Sequence, residues 1–188
     1  MNAVAPARMT VEEFLALPDD GVERMLIDGR LVEMGTTLRD RWHAGVVSRV
    51  AKFLANWLDS QPAPRGQVQT GDAGFCLPDG SDTVVGIDVA YVSADVLAQQ
   101  TDESSIVQGI PVLAVEVLSP SDTIENINLK MKKYRRSRVP LVWLIDTDDR
   151  TVKVCRLGEK PKLVDDTMDL SGEPELPGFT VAVARLFE

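Results

Sequence analysis

Histidine, cysteine and long apolar runs are scarce in this chain, and each scarcity removes a class of function. Its 188 residues include one histidine, His43, and two cysteines, Cys76 and Cys155. Zinc centres are built from clustered Cys and His ligands, so a lone histidine argues against one. The cysteines lie far apart in apolar, strand-like segments, which predicts reduced, buried thiols rather than a disulfide, a metal site or a redox pair. No stretch approaches the roughly 18 apolar residues of a membrane span. The N-terminus has no basic segment leading into an apolar core and a small-residue cleavage site. A cytoplasmic protein with no membrane partner is expected. Repeats, low-complexity segments and long linkers are also missing, so residues 1–188 are expected to form a single domain around one core.

What is present begins with charge. The formal net charge is -9, which opposes nucleic-acid binding, since phosphate contact calls for a basic face. The distribution is uneven, however: Lys130, Lys132, Lys133, Arg135, Arg136 and Arg138 crowd into nine residues, while Glu159 to Glu175 is mainly acidic. The basic run is a candidate docking face for DNA. The same cations would equally complement the C-terminal end of a helix dipole and solvate its outer side.

Periodicity supplies the elements. Thr10-Val-Glu-Glu13 is a capping-box signature before Phe14, Leu15 and Leu17, so a short helix should end ahead of Pro18. Asp28-Gly29 between two apolar runs predicts a tight hairpin. From Arg39 to Ser60, Trp42, Val46, Val50, Phe53, Leu54 and Trp57 mark an amphipathic helix that Pro62-Ala-Pro-Arg-Gly66 stops. Strands are expected at 67–77, 84–92, 112–118 and 141–145, with a helix from about 122 to 137 before the last and a hairpin partner at 151–156. This alternation predicts an α/β domain with a mixed sheet flanked by helices.

Two carboxylates stand where strands of this kind do not carry charge. Val112-Leu-Ala-Val-Glu-Val-Leu118 is apolar on both faces except at Glu116, the pattern of a covered central strand in which an ionised side chain needs compensation. Asp88 poses the same problem inside Val84-Val-Gly-Ile-Asp-Val-Ala-Tyr-Val92. Either acid could be a strand-end or ion-paired residue; two in successive apolar strands favour a functional site. On a helical wheel Ile124, Ile127, Met131 and Tyr134 form an apolar stripe with Leu129 outside it. Lys130 borders the stripe, whereas Lys132 and Lys133 are expected to face solvent. Lys130 can snorkel past the stripe, pair with Glu116, or act in a site.

The segments Met9-Thr-Val-Glu-Glu-Phe14, Leu26-Ile-Asp-Gly29, Gly86-Ile-Asp-Val-Ala-Tyr-Val92, Val115-Glu-Val-Leu-Ser-Pro-Ser-Asp122, Lys130-Met-Lys-Lys-Tyr134, Val139-Pro-Leu-Val-Trp-Leu-Ile-Asp146 and Leu176-Pro-Gly-Phe179 span almost the whole chain. In this order and spacing the sequence resembles the Uma-two family of restriction-endonuclease-like proteins, within the PD-(D/E)XK nuclease superfamily. The resemblance implies a restriction-endonuclease-like α/β fold and a hydrolase that cuts DNA, an endonuclease dependent on magnesium, with Mn²⁺ as substitute. It carries the catalytic roles to Asp88, Glu116 and Lys130, and the metal to Asp88, Glu116 and the carbonyl of Val117. Leu118 occupies the position two beyond Glu116 where the simplest superfamily pattern has its lysine; families of this appearance can take that lysine from the following helix, as Lys130. Ile87 replaces a common proline, and Met25 and Asn126 stand where many relatives carry acids, with Glu23 a candidate substitute for the first.

The implied chemistry is phosphodiester hydrolysis in which an oxygen-ligated Mg²⁺ activates water and Lys130 orients it or steadies developing charge. DNA would dock through the Lys130–Arg138 helix, and a homodimer would suit cleavage of two strands. His43 is expected to pack or contact phosphate rather than take part in catalysis. The alternative is a non-enzymatic DNA-binding or protein-interaction module that keeps the fold and uses the same three residues as a buried ion network. A zinc or redox enzyme is disfavoured by the His and Cys content.

Overall fold

The structure, a computed structural model, describes residues 8–33, 40–101, 104–119 and 122–188. In chain order the main elements are α1 (Val11–Leu15), β1 (Arg24–Ile27), β2 (Arg30–Glu33), α2 (Arg41–Asp59), β3 (Gln67–Cys76), β4 (Val84–Val92), α3 (Ala94–Leu97), β5 (Val107–Gln108) and β6 (Leu113–Val117). They continue through α4 (Ile124–Arg136), β7 (Leu141–Asp146), β8 (Thr151–Arg156), β9 (Lys162–Asp165), β10 (Asp169–Ser171), β11 (Thr180–Ala182) and a 3₁₀ turn at Val183–Leu186. Local chemistry sets several boundaries. The Thr10 hydroxyl accepts from Glu13 N while Glu13 Oε2 accepts from Thr10 N, the expected capping box of α1. Asp40 caps α2 by accepting from Trp42 N and His43 N. Asp28 and Gly29, both at positive φ, turn β1 into β2. The expected start of the long helix at Arg39 lies outside the described residues, as do Pro120 and Ser121.

A mixed sheet organises the molecule, with the order β2-β1-β4-β6-β7-β8-β9 and with β3 and β5 attached through β4. The connection from β6 through α4 to β7 is a parallel crossover; β4 meets β6, and β7 meets β8, antiparallel. The segment Thr151–Arg156 is the expected hairpin partner of β7, paired from Asp146–Thr151 to Leu141–Arg156. One face of the sheet is covered by Val46, Val50, Leu54 and Trp57 of α2 together with Leu176, Phe179, Val183 and Leu186 from the C-terminal segment. The other carries Ile87, Ala114 and Val142 beneath Tyr134 of α4, with Met25, Phe75 and Val107 around them.

Three expectations are corrected. Lys133, expected in solvent, is buried, whereas Ile124 at the head of the apolar stripe is 79% exposed and Leu129, left outside that stripe, packs against the core. The buried side of α4 is centred on Lys130, Lys133 and Tyr134 because the elements beneath it present carboxylates that lysines can pair with. Cys76 and Cys155 are free thiols as expected, but half-buried rather than buried. An unforeseen hairpin, β10 within the acidic C-terminal stretch paired with β11 beyond it, closes the α2 side of the core.

Candidate active site

The site lies where two strands part. Pairing of β4 with β6 runs through Tyr91–Leu113, Ala90–Ala114 and Val89–Val115. Beyond that last pair, the Val117 N–H donates to Asp88 Oδ2 at 2.7 Å instead of continuing the main-chain ladder. The Asp88 carboxylate thereby occupies the wedge between the strands. On its other side β3 bulges: Thr70 pairs with Val89 and Ala73 with Ile87, so Gly71 and Asp72 together oppose Asp88. Both bulge residues have positive φ. Such an insertion twists the sheet locally and re-aims the side chains beside it.

Asp88 is also held by α2. His43, buried at the first turn of that helix, places Nε2 3.3 Å from Asp88 Oδ2. Burial works against ionisation of Asp88, but the His43 and Val117 hydrogen bonds outweigh it and hold the carboxyl below its ordinary value. Glu116 follows Val115 on β6 and takes the opposite environment. Its Oε2 accepts from Lys130 Nζ at 2.8 Å and its Oε1 from the Tyr134 hydroxyl. Burial nevertheless pushes Glu116 up to about 7, aided by the like charge of Asp88 and opposed by Lys130. Lys130 gives a second hydrogen bond to Gly86 O at 2.8 Å. Burial pulls its pKa down, but the surrounding carboxylates, Glu116 first, win and raise it, so the ammonium stays charged. Two neighbouring carboxyls thus differ in their hold on a proton, a division that recurs where acid–base chemistry is done.

Asp88, Glu116, Val117 and Lys130 line a single recess together with Asp122 and Asn126. The four residues singled out from the sequence are therefore brought together. Met25 instead lies in the core, and Asn126 lines the recess at the position where an acid was the expectation. Sequence reasoning missed Tyr134 as a partner of Glu116, having read it only as stripe, and missed Asp122 and Asp72. It also saw no partner for His43, because the contact to Asp88 joins residues 45 apart in the chain. The signal for Asp72 was the Gly71-Asp72 pair inside a strand, a pattern that marks bulges.

The donors offered to a metal are carboxylate and carbonyl oxygens. Among the described residues there is no group of three or more His, Cys, Asp and Glu disposed around one point. Two carboxylates suit Mg²⁺, which keeps several waters and takes its other ligands from substrate phosphate, better than zinc.

A second polar cluster ties α4 down beside the site. Lys133 Nζ contacts Asp28 Oδ1 at 2.5 Å, Asp79 Oδ2 at 2.7 Å and Ser81 Oγ at 3.1 Å. Arg136 approaches the same two aspartates at 3.5 and 3.8 Å. Of the six cations in the expected basic face, Lys130 and Lys133 are thus internal. Lys132, Arg135, Arg136 and Arg138 lie on the outer side of the helix and its C-terminal turn.

The chain is an α/β fold, a mixed sheet flanked by helices, with two acids set beside diverging strands. Residues 11–184 match the Uma2 family, whose description is "Putative restriction endonuclease", and the chain belongs to that family. A solved structure of similar fold is that of a "putative nuclease belonging to DUF820" from Anabaena variabilis. It shares 17% identity with this chain and superposes with a TM-score of 0.80 over 95% of this chain and 97% of its own. No curated protein matches the chain significantly. No helix among the described residues is long and apolar enough to cross a membrane.

Proposed function

We propose that this protein is an endonuclease hydrolysing DNA phosphodiester bonds with Mg²⁺ or Mn²⁺, using Asp88, Glu116 and Lys130. The observation that carries the reading is convergence: a wedge aspartate on β4, a buried glutamate on β6 and a helix lysine meet in one recess, with Val117 on its wall. Asp88, Glu116 and the Val117 carbonyl would hold the ion, which when bound lowers the pKa of its water and polarises a phosphoryl oxygen. Asp88 is kept ionised by His43 and the Val117 amide, so its ligand oxygens need no proton removed first. The Lys130 ammonium, pinned by Gly86 O and Glu116, supplies fixed positive charge where the pentavalent phosphorane oxygens develop negative charge. Tyr134 limits the swing of Glu116 by hydrogen-bonding its second oxygen.

Incubation with supercoiled and linear DNA, with Mg²⁺, with Mn²⁺ and with chelator, tests the reading. Cleavage that needs the ion and disappears in Glu116→Ala is the expected result. One observation favours the alternative of a binding module: Lys130 and Tyr134 each hydrogen-bond one oxygen of Glu116, as in a buried polar network. DNA binding untouched by chelator, with no cleavage under any ion, would establish that module instead.

A further inference from the structure

The first turns of α2 present an arrangement that the hydrolytic site does not use. Trp42 is 59% exposed although it neighbours the buried His43 in sequence. The other two tryptophans, Trp57 and Trp143, are buried. Arg41 lies over the Trp42 ring with its guanidinium carbon 4.3 Å from the ring centroid. At about 100° per residue, Trp42, Val46 and Arg49 share one helical stripe. They line a pocket with Asp148, Arg150 and Phe187. Arg150 stacks over Phe187 at 5.2 Å and pairs with Asp166 at 2.8 Å. Gly45 occupies the interior of α2, where glycine costs about 1 kcal/mol against alanine. A Cβ there would begin 2.8 Å from Arg49 Nη1, the movable tip of a side chain that folds back over the glycine.

This pocket sits at the same end of the sheet as the candidate active site, on the face covered by α2. The recess lies under α4, so a strand serving both would pass around the sheet end. Its Thr147–Arg150 wall is the turn that follows β7, and the recess of Asp88 and Glu116 opens where the parallel neighbour β6 ends. Ligands of open α/β sheets gather at the carboxyl ends of the strands. The link is also direct in sequence, since the residue after Trp42 is the one that touches Asp88.

An exposed indole with a guanidinium across one face and further arginines beside it is chemistry that can hold an unpaired nucleobase: the base stacks on the open face of the ring while arginines such as Arg49 meet its phosphates. Asp148 and Asp166 offset part of that charge, which places more of the affinity on stacking than on phosphate contact. We infer that Trp42, with Arg41, Arg49 and Arg150, is a stacking platform for an unpaired base of the DNA strand whose phosphodiester reaches Asp88 and Glu116. The inference rests on the nuclease reading and gives it a substrate class, DNA with single-stranded or locally opened character.

The test compares oligothymidylate with an abasic deoxyribose-phosphate strand of equal length and charge, in chelator so that no cleavage intervenes. Oligothymidylate should quench the exposed tryptophan emission and bind more tightly than the abasic strand. Trp42→Ala should weaken oligothymidylate binding by about 5- to 100-fold, the range for loss of one stacked base, while leaving abasic binding and the thermal melt unchanged. Trp42→Phe should recover part of the affinity. Equal affinity for the two strands, or binding indifferent to Trp42→Ala, overturns the platform; ion-dependent cleavage persisting beside that result leaves the nuclease reading standing. Stacked binding without cleavage under any ion would do the reverse. A sedimentation change in Trp42→Ala with unaltered oligonucleotide binding would make the exposed ring a contact between copies of the chain and also overturn the proposal.

Discussion

At the residue scale, Lys130 has a structural use and, on the nuclease reading, a proposed chemical one, and mutation can separate the two. Its ammonium bonds Glu116 and Gly86 O in the interior. Breaking a buried ion pair from one side costs roughly 3 to 5 kcal/mol. Glu116 already binds its proton up to about neutral pH, so it can become neutral when the lysine is removed, and the destabilisation should fall below that range. Lys130→Met is therefore expected to fold with a lowered melting temperature and to cut DNA at least about 100-fold more slowly than the wild type. Normal cleavage by a folded Lys130→Met would remove the lysine from the mechanism. His43 contacts Asp88, and on the nuclease reading its proposed part is to orient that carboxylate. His43→Ala should weaken Mn²⁺ binding by roughly 10- to 100-fold, the scale for removing a group that orients a metal ligand, and His43→Asn should restore part of it. Titration calorimetry against Mn²⁺ reads this apart from turnover; an unaltered affinity would leave His43 a packing residue.

At the element scale, α4 is fastened to the β1–β2 turn and the β3–β4 loop by Lys133. The Asp79 side chain it meets is fully buried. Lys133→Met should destabilise the fold in urea unfolding by less than the roughly 3 to 5 kcal/mol of breaking a buried pair, because Ser81 still bonds Asp79 and Arg136 stays 3.5 and 3.8 Å from the two aspartates. The same cluster has a pH signature. The Lys133 hydrogen bond lowers the pKa of Asp28, and at Asp79 burial is overcome by the bonds from Lys133 and Ser81. With the folded pKa depressed, the stabilisation is complete above the ordinary aspartate value and is lost as pH falls through the depressed one. Melting temperature should fall below about pH 4, and Lys133→Met should show a shallower fall. Parallel acid slopes in the two proteins would mean that other carboxylates govern acid unfolding. On the nuclease reading, the outward cations of α4 would meet DNA. Lys132 and Arg135 line a groove bounded by α4 and the residues following β8. Replacing both by alanine should reduce the slope of log affinity against log salt by about 2, roughly 0.9 for each phosphate no longer neutralised. An unchanged slope would move the DNA surface off this helix.

For the whole molecule, a net charge of -9 repels DNA outside such local patches, and a divalent ion in the recess would offset the carboxylates there. Much of the architecture was legible in advance because its causes are local. The capping box of α1, the Asp28-Gly29 turn, the amphipathic period of α2 and the apolar runs of β4, β6 and β7 are written in neighbouring residues, and each element forms within a few residues of its expected place. The out-of-pattern charges at Asp88 and Glu116 could be picked out for the same reason: an apolar strand makes its own exceptions visible.

The sequence by itself determined the main helices and strands, though not α3, β5 or β9 to β11, which acids are costly to bury, and, through motifs ordered along the chain, its family. Tertiary structure decided which charges meet. The wheel sent Lys133 to solvent because a hydrophobic stripe was taken as the only inward face, yet Asp28 and Asp79 arrive beneath it from elements 105 and 54 residues away. The parting of β4 from β6, the β3 bulge that accompanies it and the reach of His43 to Asp88 depend on strand pairing and on the placement of a distant helix. Periodicity reports the polarity of a position; the charge that a position will face is set by whatever the fold packs against it.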